Sequence, residues 1–153
     1  MPLLSPRDRT VLQERFSREL RRDITLTLFT FRSAGLLTVP GRECPTCPQT
    51  QEVLEEVVAL SPKLRLEVVD FYAQGEEARR RGVERIPCFT FSADQQPYDN
   101  IKFYGLPTGY EFLTLVEDII ALSRGVTPLR PALREVVRQI DKEVHLQVFV
   151  TPT

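Results

Sequence analysis

The apolar positions of this chain recur in a regular order. Ser5 followed by Pro6 reads as an N-cap and first helical residue. Leu12, Phe16 and Leu20 then repeat every fourth position, the buried stripe of an amphipathic helix. The run 24–31 (ITLTLFTF) predicts a strand, and 32–43, with Gly35, Pro40 and Gly41, a loop. A second helix runs on to about Leu60, its face made by Val53, Leu54, Val57 and Val58. Leu64, Leu66 and Val68 alternate as a strand ending near Asp70. A short helical stretch begins at Gly75 and stops at Gly82. The stretches 88–92 and 100–104 read as a hairpin, and 108–123 as the most apolar helix. This order, with helices joining the first three strands, predicts parallel pairing among those three and an antiparallel edge from the hairpin. The expected fold class is α/β: a mixed four-stranded sheet with helices on both faces.

The tail repeats the beginning. Leu133, Val136, Val137 and Ile140 form another helical stripe, and 144–150 (VHLQVFV) another expected strand. Ile24, Leu26, Leu28 and Phe29 match Val144, Leu146, Val148 and Phe149 at an offset of 120 residues. Arg9, Leu12 and Glu14 match Arg130, Leu133 and Glu135 at an offset of 121. The expected division is therefore a unit 1–124 followed by 125–153, the first helix and strand of a second, incomplete unit. An orphan strand of this composition is an adhesive edge, so a homodimer through it is expected.

At 153 residues, 42% apolar, 27% charged and net charge -1, the composition is that of an ordinary globular domain. The charge balance gives no electrostatic reason to expect nucleic acid or an anionic membrane as partner. Every apolar run falls short of the roughly 20 residues that cross a bilayer. Met1–Asp8 lacks a basic segment followed by an apolar one, so no signal peptide is expected. Three cysteines, an odd number, do not form a secreted disulfide framework, and a cytoplasmic protein is expected.

Cys44-Pro45-Thr46-Cys47 carries the chemistry. Two cysteines three apart, between a strand and a helix, form a redox arrangement. A helix N-terminus presents free N–H groups and partial positive charge, which stabilise a thiolate. The competing reading is half of a zinc site, which needs four ligands and could draw only on Cys88 and His145. Cys88 reads as a small core residue, His145 as an ordinary strand residue, Arg79–Arg81 as a solvated helix end, and Phe103 and Tyr104 as packing residues.

C-P-T-C at a helix start, V-E-R-I-P (83–87) before a strand and F-Y-G-L-P (103–107) before the last helix together resemble a thioredoxin-fold unit. With the repeat, they resemble the N-terminal half of the tandem glutaredoxin-like protein disulfide oxidoreductases, over essentially the whole chain. That resemblance implies thiol–disulfide exchange without a cofactor or metal. It implies Cys44 as the attacking cysteine, Cys47 as the resolving one and Pro87 as a cis proline. Ile86 would offer its backbone to an extended substrate, with Pro45 and Thr46 beside it. The implied partners are protein disulfides and a recycling reductase such as a thioredoxin-reductase-like flavoprotein. Three features depart from the pattern. The loop before Cys44 is long. Strand 24–31 lacks the buried carboxylate that assists proton transfer in thioredoxins, and Glu43 would oppose a neighbouring thiolate. The second unit is incomplete, which also leaves open a redox-weak peptide-binding module or a fragment of a larger tandem enzyme.

Overall fold

The computed structural model describes residues 4–31 and 40–151. Its elements are α1 (Pro6–Glu19), β1 (Ile24–Thr30), α2 (Cys47–Val58), β2 (Leu64–Asp70), α3 (Gly75–Arg80), β3 (Cys88–Ala93), β4 (Gln96–Tyr104), α4 (Tyr110–Arg124) and α5 (Pro131–Arg138). The expected loop at 32–43 lies mostly outside the described residues. As expected, Ser5 caps α1: its Oγ accepts from the Asp8 N–H at 3.1 Å. Gly82 ends α3 with φ +64°, a left-handed conformation that glycine adopts without penalty.

The four strands lie in the order β2-β1-β3-β4. β1 pairs with β2 in parallel and with β3 antiparallel, and β3 and β4 form an antiparallel hairpin. The expected parallel pairing of the third strand is thus corrected. α3 has six residues and spans about 9 Å. β2 has seven and spans about 23 Å. α3 does not carry the chain back to the start of the sheet, and β3 enters at the end where β2 left. The hairpin is also tighter than expected. Asp94 and Gln95, with φ of 46° and 68°, make a two-residue turn, and β4 begins at Gln96. Pro97 sits inside β4 because that strand is an edge, where a missing N–H costs no ladder bond.

β1 is the central strand and is buried on both faces. On one face Ile24, Leu26 and Leu28 join Phe89 and Phe91 under α1, α2 and α4, through Phe16, Leu54, Val57, Leu115 and Ile119. On the other, Phe29, Val69 and Cys88 pack against Ala78 of α3 and Val83. The helices therefore cover both faces, as expected. Arg81, just beyond α3, covers the rest of this second face, with its guanidinium 3.5 Å from Thr27 Oγ1 and 3.4 Å from Thr90 Oγ1.

The tail differs from expectation. α5 forms, but 144–150 is exposed and makes no strand. A strand is defined by the ladder it shares, and no described strand lies beside it. Among the described residues no helix is long and apolar enough to cross a membrane.

Ser123, fully buried in α4, was not singled out by the sequence pattern. Its hydroxyl accepts from the backbone N–H groups of Arg21 (2.9 Å) and Arg22 (3.0 Å) and donates to the Arg22 carbonyl (2.7 Å). It holds the end of α4 to the turn that feeds β1. Ser123→Ala strands these groups and should lower stability by about 1–3 kcal/mol. A urea midpoint unchanged from the parent protein would refute this role.

Candidate functional site

α2 begins at Cys47, with Thr46 as N-cap and Pro48 in the first turn, where a missing N–H is harmless. The Thr46 side chain makes no capping bond. Instead, Thr50 closes the turn: its N–H and its hydroxyl both donate to the Thr46 carbonyl, at 2.9 and 2.8 Å. The Cys47 N–H donates to the Cys44 carbonyl at 3.2 Å. Cys44 therefore lies in the turn just ahead of the helix, not within it. Its sulfur is disulfide-bonded to Cys47, with the two Cα atoms 5.3 Å apart. The two cysteines are unequal in access. Cys47 is fully buried, Cys44 is half-buried, and Pro45 and Thr46 are exposed.

The Ile86–Pro87 peptide bond is cis. Pro87 is buried and immediately precedes β3. Its carbonyl accepts from the Gly105 N–H at 2.9 Å, and there the β3–β4 pairing stops. The Ile86 N–H and C=O have no backbone partner among the described residues. Because Cys88 pairs with Phe29, the Ile86–Pro87 segment emerges beside the end of β1, the end from which the chain leaves toward Cys44. The topology thus gathers the candidate residues Cys44, Pro45, Thr46, Cys47, Ile86 and Pro87 at one end of the sheet. β1 ends at Thr30, whose buried Oγ1 has no hydrogen-bond partner among the described residues.

Cys88 is fully buried on the α3 face of the sheet, opposite the face that carries α2. Burial pushes its thiol up to about 12, outweighing the opposing effects of Lys102 and Tyr104. His145 lies in the exposed tail. Among the described residues no three histidine, cysteine or carboxylate side chains gather as a metal ion would require. Phe103 packs as expected, stacked on Phe89 at 4.8 Å.

Sequence reasoning missed two arginine–tyrosine pairs at this end of the sheet. The Arg42 guanidinium lies 4.7 Å from the centre of the Tyr72 ring, and that of Arg85 lies 5.3 Å from the centre of the Tyr104 ring. The only signal was position: each arginine stands two residues before a site residue, Cys44 or Pro87.

The chain matches no protein-family model, and no curated protein matches it. Solved structures do. The N-terminal domain of alkylhydroperoxide reductase AhpF from Enterococcus faecalis aligns with a TM-score of 0.72 and 23% identity, over 86% of this chain and 58% of that one. A protein disulfide oxidoreductase from Aeropyrum pernix K1 aligns with a TM-score of 0.71 and 23% identity, over 89% and 55%. The chain spans little more than half the length of either. What these matches carry is the fold: this is an α/β thioredoxin fold.

The burial of Cys88 has a measurable consequence. In the Cys44→Ser/Cys47→Ser double variant, iodoacetamide should leave the native protein unmodified at pH 9, since the thiol does not ionise until about pH 12. In urea the same thiol should react at once. Rapid modification without denaturant would contradict the assigned burial.

Proposed function

We propose that this chain is a thiol–disulfide oxidoreductase acting on protein disulfides through Cys44 and Cys47. The observation that carries the reading is the unequal disulfide at the start of α2, half-exposed at Cys44 and sealed at Cys47. In the reduced protein the Cys44 thiolate attacks one sulfur of a substrate disulfide and expels the other as a thiolate, leaving a mixed disulfide. Cys47, deprotonated, then attacks Cys44 Sγ. The substrate leaves with both sulfurs reduced, and Cys44–Cys47 is oxidised. Two electrons pass to the substrate, and an external dithiol or a reductase restores the pair.

Each residue has a task. The Thr46 side chain does not cap the start of α2, and the positive end of the helix dipole there favours charge on Cys44. The Ile86 backbone, without a backbone partner among the described residues, gives an extended substrate a strand to pair with, and Pro45 and Thr46 line its approach. The partners under this reading are protein disulfides and a flavoprotein reductase of the thioredoxin-reductase kind, in the cytoplasm. With dithiothreitol as donor, the protein should reduce insulin. Cys44→Ser should fall to the rate of dithiothreitol alone, and Cys47→Ser should accumulate mixed disulfides visible by mass spectrometry. Full activity in Cys44→Ser would refute the assignment.

The tail serves assembly in this reading, with 125–153 as a segment distinct from the unit 1–124. Leu146, Val148 and Phe149 are 83–86% exposed, and α5 leaves Leu133, Val136 and Val137 uncovered. Such an eight-residue helix is marginal alone, and an exposed apolar segment is prone to pair as a strand with another chain. A homodimer through 144–150 satisfies both. Light scattering should give about twice 17.6 kDa, and Val148→Glu with Phe149→Glu should shift the mass toward the monomer. A monomeric parent protein at high concentration would rule the dimer out.

A further inference from the structure

We infer that the site selects disulfides bracketed by carboxylates, and that Arg42 and Arg85 are the residues that select them. The inference rests on the oxidoreductase reading above and names its substrate class.

Both guanidinium groups are held on built platforms. Tyr72, under Arg42, is braced edge-on by Phe31 at 5.1 Å and Phe71 at 5.2 Å. Its backbone is pinned as well, since Asp70 Oδ1 accepts from the N–H groups of Tyr72 (3.0 Å) and Ala73 (2.7 Å). That oxygen of the nearby carboxylate is thus already engaged. Tyr104, under Arg85, is the last residue of β4 and lies opposite Cys88. Its hydroxyl accepts from the Glu84 N–H at 3.4 Å.

A guanidinium lying over a ring face leaves N–H donors for a second partner. Neither arginine has one. Among the described residues neither forms an ion pair, although Arg9, Arg15, Arg65, Arg80, Arg81, Arg124 and Arg138 all do. Both are exposed.

Their placement brackets the site. Tyr72 follows β2 and Tyr104 ends β4, the two outer strands of the sheet. Those strands are three spacings apart, roughly 14 Å. Between them lie the end of β1, which leads to Cys44, and the Ile86–Pro87 entry to β3. A cystine seated on Ile86 therefore has one cation on each side, within reach of side chains a few residues from its sulfurs.

Exposed Glu43 and Glu84 adjoin the two arginines and cancel the local net charge. The selectivity is thus a matter of short-range bidentate contact and not of long-range attraction.

The test uses two cystine peptides identical except for Asp or Lys on both sides of the disulfide, reduced by the full chain with dithiothreitol as donor. The parent protein should prefer the acidic peptide in kcat/KM by about two- to fivefold per arginine, the scale of an exposed ion pair. The difference should appear in KM. Arg42→Gln and Arg85→Gln should each remove one such factor, and the double variant should bring the ratio near one. Arg85→Lys should recover part of the preference, keeping the charge without the bidentate fork. A double variant that reduces insulin with its peptide ratio unmoved overturns the inference alone. A parent protein that reduces neither peptide nor insulin overturns the oxidoreductase reading, and this inference with it.

Discussion

Burial of β1 on both faces is the constraint from which the rest is set. One face of the strand presents Ile24, Leu26 and Leu28 to three helices, and the other presents Phe29 to the cluster under α3. A one-residue slip would exchange those sets, so the register with β2 and β3 is fixed. That register in turn fixes where β1 ends, where the chain departs for Cys44, and which segment of the β3 entry stands beside it. The site is thus positioned by hydrophobic packing some distance beneath it, and the residues at the surface need only hold their local turns.

The disulfide is placed by a modest set of local rules. Pro48 and the Thr50 bonds to the Thr46 carbonyl fix the start of α2 at Cys47 and leave Cys44 one turn outside. A residue outside the helix can be reached, while the first residue inside it is covered. The difference in access between the two sulfurs is therefore a consequence of where one helix begins.

Much of this was legible in the sequence because it follows from periodicity and local chemistry. The Ser5–Pro6 start, the stripe through Phe16, the strand 24–30, the C-P-T-C before α2 and the Gly82 stop are all written in adjacent residues. What was not legible depends on partners distant along the chain. The direction of β3 depends on which end of the sheet its connection from β2 reaches, which no local pattern records. The extension of β4 back to Gln96 through Pro97 depends on that strand being an edge. Ser123 gains its meaning only from Arg21 and Arg22, about a hundred positions away. Tyr104 reads as a packing residue, and Tyr72 goes unremarked, because nothing near them in sequence announces that an arginine lies over each ring.

The location of Cys88 bears on how faithfully the protein can form its own bond. Three thiols in one chain allow three internal pairings, and an oxidising pulse would ordinarily sample them all. Here the sheet stands as a wall between the α2 side and the pocket that holds Cys88. Burial in the cluster with Phe29 and Ala78 withholds Cys88 from that choice, so the architecture favours the Cys44–Cys47 isomer.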